Sequence, residues 1–349
     1  MAWDAVAQAL KCPYCQHVHP IAAQEGSQGI VEHDLQAGLS MATQRGFGAT
    51  TRTVNCKTCG ATVAFGGQSI STRCDFCGSP HVLEQESNRN LIRPESMLPF
   101  AVDQGRARIM FSEWIGSLWF RPSDLKKKAS VGEINGVYIP YWTFDAWVSS
   151  SWTAQAGHDY QEQEQYWGKD ANGNNVQMTR MVTKTRWQPA WGSRQDHHDD
   201  VLVCAGRGLP EALVQQLHGF ELSQLRPYDP GFLSGWRAEE YAVDLNEGWG
   251  QGLKRIEAAQ QQRCHSDVRA DRVANLNVVN QFGQEKFKHI LLPIWIASYR
   301  YNDKVFRFLI NGQNGQVRGE APYSWVKIFF FSVFVLMVLS LICLLTQGN

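Results

Sequence analysis

Two cysteine pairs carry the strongest chemical signal in this sequence: Cys56-x2-Cys59 and Cys74-x2-Cys77, with fourteen residues between them. The internal logic is that of paired zinc knuckles. Each pair is followed directly by glycine, Gly60 and Gly78, the residue that takes positive φ freely and lets the turn aim its amides at the thiolates. Four sulfurs close a tetrahedral Zn²⁺ shell and leave no position for water or substrate, so the expected metal role is structural. The stretch between the knuckles, "ATVAFGGQSISTR", alternates apolar and polar residues around Gly66-Gly67 and predicts a β-hairpin. A disulfide framework or scattered buried cysteines are the competing readings, and the matched knuckles favour zinc. Upstream lies a half-motif, Cys12-Pro13-Tyr14-Cys15, followed by Gln16 where a knuckle prefers glycine and by His17, His19 and His33. Two of those histidines could complete a second zinc site with Cys12 and Cys15. The pair could also join across a dimer or stand as a decayed knuckle, and the sequence leaves the ligand set open.

Other catalytic signatures are absent from the sequence. No GxxxxGK[ST] occurs; Gly168-Lys169 is followed by Asp170, so no P-loop motor is encoded. Neither GxSxG nor HExxH appears. Cys204 and Cys264 lack partners at readable spacing and read as buried residues, and Cys343 falls in a long apolar run. The stretch "RQDHHDDV", Arg194 to Val201, gathers Asp196, His197, His198, Asp199 and Asp200. Adjacent histidines on a strand point to opposite faces, which favours a solvated loop over a metal site. Asp170, Asn172 and Asn174 imitate the start of a calcium loop, but Asn175 replaces the required glycine and Met181 the bidentate glutamate, so a polar hairpin tip is expected. The expectation is that the protein is not an enzyme.

The elements that position these residues are bounded by composition. At 349 residues, 44% hydrophobic and 11% aromatic, the chain can bury a sizeable core. Its formal net charge is zero, unlike a dedicated nucleic-acid binder. Residues 1–90 hold six basic and seven acidic side chains, and a zinc held by four thiolates adds about two more negative charges. Phosphate binding there is disfavoured.

Between the cysteine region and the C-terminal run, short alternating segments rich in Trp and Tyr predict strands, with two main helices. One is expected over Gln104–Trp119 and the other over Leu245–Ile256. Each follows a similar tetrapeptide, "FAVD" at Phe100–Asp103 and "YAVD" at Tyr241–Asp244, whose aspartate sits where an N-cap belongs. Each also precedes a similar strand, "YIPYW" at 138–142 and "LLPIW" at 291–295, which predicts an internal duplication. Hairpin turns are expected at Asn172-Gly173, Asn302-Asp303 and Gly312–Gly315. The stretch Ile328–Thr346 is nineteen residues without a charge, about 28 Å as a helix, and reads as a transmembrane span. Lys327 and Arg318 flank its N-terminal end, which predicts a cytoplasmic bulk, and "MAWDAVAQALKC" offers no secretory signal. A reducing cytosol also suits thiolate ligands.

Taken together, "CKTCG…CDFCG", "IRPESMLPFAVD", "GSLWFRP", "GVYIPYWTFDA", "YDPGFLSGWRAEEY" and "LLPIWIASYRYNDKVFRFLINGQNGQVRGEAPYSW" resemble a bacterial family of membrane-anchored zinc-ribbon proteins. The resemblance runs from Cys12 to the C-terminal apolar run, with Gln16 departing from the knuckle glycine. Members are often labelled transcription-factor-IIB-type zinc ribbons or primosomal-protein-N′-like helicases; without a P-loop the helicase label does not carry over. Some relatives are encoded beside flotillin-like SPFH proteins and phage-shock protein A, which implies an envelope-stress or scaffold role.

The expected fold is therefore α+β in three parts. An N-terminal zinc-ribbon region occupies residues 1–90, with the ribbon at 54–82. A duplicated mixed α+β region spans 91–325, with repeats at 98–235 and 239–320, and a single C-terminal transmembrane helix spans 327–346. The expected function is a tail-anchored adaptor at the bacterial inner membrane, facing the cytosol. Its zinc ribbon would dock an SPFH or phage-shock partner, and self-association is a further expectation. The rival is a membrane-tethered nucleic-acid-binding, replication-associated protein without helicase activity.

Overall fold

A computed structural model describes residues 1–20, 29–40, 52–65, 74–86, 91–128, 130–131, 134–169, 173–233, 235–302 and 304–347. The expected turn at Gly66-Gly67, and Asp170, Asn172 and Asp303, lie outside them. The chain begins with a small antiparallel sheet of β1 (Ala2–Asp4), β2 (Ala9–Lys11) and β3 (Val18–His19). Then come β4 (His33–Asp34), α1 (Leu35–Ser40), β5 (Arg52–Cys56), β6 (Thr62–Phe65), β7 (Val82–Glu86) and β8 (Ser96–Met97). The central part holds α2 (Gln104–Ser117), α3 (Leu125–Lys128), β9 (Ser130–Val131), β10 (Asn135–Lys169) and β11 (Asn175–Cys204). It is followed by α4 (Glu211–Gln216), β12 (Arg226–Pro227), β13 (Arg237–Glu239), α5 (Leu245–Asp267) and β14 (Arg272–Tyr301). The chain closes with β15 (Lys304–Asn311), β16 (Val317–Gly319) and α6 (Trp325–Gln347).

Strands β4 to β16 form one large mixed sheet, built on β10. Along one side β10 pairs antiparallel with β14, from Asn135↔Ile296 to Gly157↔Arg272. Along the other it pairs in parallel with β13 and then antiparallel with β11. Alternation sets the two faces. Trp142, Phe144, Ala146, Val148 and Trp152 turn toward α5, whose Ile256 and Cys264 are fully buried against the sheet. Beyond Gly157, among the described strands, β10 and β11 continue as a two-stranded arm to Lys169↔Asn175.

The two similar tetrapeptides and strands occupy matching places. Asp103 caps α2 by accepting from the Arg106 N–H, and Asp244 caps α5 by accepting from the Glu247 N–H. Helix α5 runs eleven residues past the expected end at Ile256, because Cys264 and Val268 extend its buried stripe. "YIPYW" and "LLPIW" lie directly against each other, with Tyr138 opposite Pro293 and Pro140 opposite Leu291. Two indoles tie these segments together: Trp142 Nε1 donates to Val243 O and Trp295 Nε1 to Val102 O, both at 2.9 Å. The expected turn at Gly312–Gly315 forms, with Gly315 at φ +80 and the Gln313 and Asn314 amides on Asn311 Oδ1.

The expectation of a transmembrane helix is corrected: among the described residues no helix is long and apolar enough to cross a membrane. Helix α6 starts against the body. Ser324 N donates to Phe120 O, Lys327 Nζ reaches Trp119 O at 3.1 Å, and Phe331 packs edge-on to Trp119 and Phe120. The tail anchor and the single-pass inner-membrane localisation fall with the expected span.

Candidate metal centre

Local sequence builds the two knuckles in the same way. In the first, Gly60 N donates to Cys56 O and Cys56 N to Ala61 O; in the second, Gly78 N donates to Cys74 O and Cys74 N to Ser79 O, all at 2.8–2.9 Å. Gly60 and Gly78 sit at φ +80 and +70, the left-handed region that the spacing required. Thr58 Oγ1 and Ser79 Oγ meet at 2.8 Å and tie one knuckle to the other.

The four sulfurs converge. Cys56 Sγ lies 3.6 Å from Cys77 Sγ and Cys59 Sγ lies 3.6 Å from Cys74 Sγ, with all four ligand atoms within 4.8 Å of one another. All four cysteines are free thiols. A tetrahedron with Zn–S bonds of about 2.3 Å has edges of about 3.8 Å, so the spacing fits a metal and is far too long for a disulfide of about 2.05 Å. The electrostatics point the same way. Burial opposes the Cys56 thiolate, but the Cys59 and Thr58 amides and the neighbouring thiols outweigh it and bring Cys56 down to about 7. The Cys59 thiol and burial push Cys74 well up, and burial pushes Cys77 up to about 11. Four thiols this close cannot all ionise alone, and a bound cation resolves the conflict.

The centre is welded to the body. Strand β6 pairs with β13 through Val63↔Glu239, Ala64↔Ala238 and Phe65↔Arg237, which joins the ribbon to β10. Cys56, Cys74 and Phe76 share one core with Leu98, Val137, Ile139, Leu209 and Leu213. Arg237 also makes an ion pair with Asp75, inside the second knuckle. On the far side, among the described strands, β7 pairs with β5 alone, and its Leu83 is 54% exposed.

Sequence reading missed Glu239, which no local motif marks. It is wholly buried beside the centre, where Oε1 accepts the Arg207 and Gly208 amides at 3.2 and 2.9 Å and Oε2 has no partner. Burial pushes its carboxyl up to about 7. A cleft of about 420 Å³ opens nearby, lined by Cys59, Cys204, Arg207, Glu247 and Arg255 among others. Burial pushes the Cys204 thiol up to about 12, which keeps it protonated and un-nucleophilic.

The upstream half-motif keeps a knuckle's shape without the glycine. Gln16 takes φ +61, its amide donates to Cys12 O, and Cys12 N donates to His17 O. Among the described residues, however, Cys12 and Cys15 are not joined by His17, His19 or His33 into a group of three ligands. His33 instead faces Glu95, with Nε2 3.1 Å from Oε2. The stretch "RQDHHDDV" is not the expected solvated loop but part of β11, where alternation leaves His197 in the open against Trp147 and buries His198.

The chain is similar to the uncharacterized protein YdjG of Bacillus subtilis (strain 168), with 24% identity over 249 residues. The match covers 68% of this chain and 66% of that protein's length. No described family and no solved structure matches the chain.

Proposed function

We propose that this protein is a non-enzymatic adaptor whose zinc ribbon docks a protein partner. The observation that carries this reading is the closed four-sulfur shell. Every donor is used to hold the metal, so Zn²⁺ supplies rigidity and leaves no position at which to activate water. The presenting surface is the β7 edge. That strand ends the described part of the ribbon, and exposed Leu83 is the apolar contact it offers to an extended segment of a partner. The sequence resemblance favours an SPFH or phage-shock protein as that partner.

The test is affinity capture of the full-length protein from its native cell, read by mass spectrometry. Two variants serve as controls: Cys56→Ser with Cys59→Ser, which removes the metal, and Leu83→Arg, which spares it. Recovery of an SPFH or phage-shock protein that both variants lose supports the reading. Recovery of DNA and replication proteins instead overturns it in favour of nucleic-acid binding.

A further inference from the structure

A second cluster of charged groups lies away from the cysteine centre, where three distant parts of the chain meet. Its core is Asp145, in the middle of β10. The residue is 2% exposed and sits where both ladders slip register, against β11 between Phe144 and Ala146 and against β14 between Asp145 and Trp147. Phe144 faces Val201 and Ala146 faces His198, so β11 carries the extra pair Asp199 and Asp200 across from Asp145. Bulges of this kind re-aim side chains. Here the bulge puts Asp200 at φ +51, with its amide on Asp145 Oδ1 at 2.6 Å. Glu32 arrives from the N-terminal segment just ahead of β4, which pairs with β14 at Lys286 and Phe287.

Two lysines enter the cluster. Lys288 Nζ lies 2.8 Å from Asp200 Oδ1 and 3.2 Å from Glu32 Oε1, and Lys286 Nζ lies 3.1 Å from Glu32 Oε2. Lys288 also makes a long ion pair with Asp145 Oδ2, at 3.9 Å, but that buried oxygen has no hydrogen-bond partner. Four carboxylates against two ammonium groups leave two negative charges, partly buried, which a protein interior tolerates only when they are compensated.

We propose that Glu32, Asp145 and Asp199 bind a hard divalent cation. Each offers an oxygen, and these oxygens lie within 4.8 Å of one another. Oxygens around Mg²⁺ at about 2.1 Å span up to about 4.2 Å across the ion, and around Ca²⁺ at about 2.4 Å up to about 4.8 Å, so both sizes are admitted. An all-carboxylate donor set suits Mg²⁺, Ca²⁺ or Mn²⁺. Asp145 Oδ2, which accepts no hydrogen bond, is the buried donor, and exposed Asp199 opens the remaining positions to water. The ion would cross-link the N-terminal segment, the central strand and the β11 edge, and Lys288 would hold Asp200 aside.

The experiment uses the full-length chain with its cysteine site loaded, dialysed into metal-free buffer without chelator and titrated with Mn²⁺. Loss of the free Mn²⁺ resonance signal reads binding. The expected result is one Mn²⁺ per chain, displaced by Mg²⁺ or Ca²⁺. Asp199→Asn should weaken it at least tenfold with zinc content unchanged, and Asp145→Asn should abolish it. Glu164→Gln, whose carboxylate pairs with Arg180 on the arm, should leave it unchanged. Because Asp199 is exposed, its substitution does not endanger folding. Absence of Mn²⁺ binding up to millimolar concentration by the folded chain overturns the proposal, as does undiminished binding by Asp199→Asn.

Discussion

Replacing Glu239 with glutamine should change how the protein's stability depends on pH. Glu239 is wholly buried, and burial raises its carboxyl from the ordinary 4.5 to about 7. In the unfolded chain the group ionises near 4.5, so between the two values the folded state holds a proton that the unfolded state has lost. Stability therefore falls as pH rises through this window. The penalty is absent below about pH 4.5 and complete above about pH 7. At 1.36 kcal/mol for each pH unit of separation, it reaches about 3 kcal/mol. Glutamine keeps an oxygen for the Arg207 and Gly208 amides and carries no charge, so Glu239→Gln should be the more stable protein at pH 8 by up to about 3 kcal/mol. At pH 5 the two should differ little. Urea unfolding of both proteins at constant zinc, at pH 5, 6, 7 and 8, measures the difference. Asp145, which burial raises to about 6, titrates in both proteins and cancels. A stability difference that stays flat from pH 5 to 8 would show that Glu239 is not a buried, proton-holding carboxyl, and the reasoning would fail.

The knuckle glycines and the helix caps give further checks. A Cβ at Gly60 or Gly78 would meet nothing within 4 Å, so the cost of Gly60→Ala or Gly78→Ala is purely conformational. At roughly 1–2 kcal/mol for a left-handed alanine, each should lower zinc affinity about 5- to 30-fold, as read by competition with a chromogenic chelator. Equal affinity to the parent would remove the positive-φ argument. Asp103→Ala and Asp244→Ala each delete one N-cap hydrogen bond and should each cost about 1 kcal/mol in urea unfolding. A loss confined to one of them would show that the two helix starts are not energetically alike.

What could be read in the sequence was local. The x2 spacing within each cysteine pair and the glycine after it specify a turn and its sulfur geometry within a few residues, and both knuckles form that way. The aspartates of "FAVD" and "YAVD" likewise cap helices that begin one residue later. The C-terminal run shows the limit of composition. Its apolar character was plain, but the packing of its first turns on Trp119 and Phe120 was not encoded in that stretch alone.

Long-range strand register settled the rest. Whether the ribbon is a free module or part of the main sheet depends on Val63 meeting Glu239, a pairing that no window of sequence contains. His33 could be a candidate zinc ligand on paper, and folding sets it against Glu95. The acids of "RQDHHDDV" look like a solvated stretch until two register slips bring Asp199 and Asp200 onto Asp145 and beside Glu32. Sequence alone determined the features whose energetics close within one turn of chain. Only the tertiary structure decided which charges and donors meet, because a one-residue slip between strands sends a side chain to the opposite face.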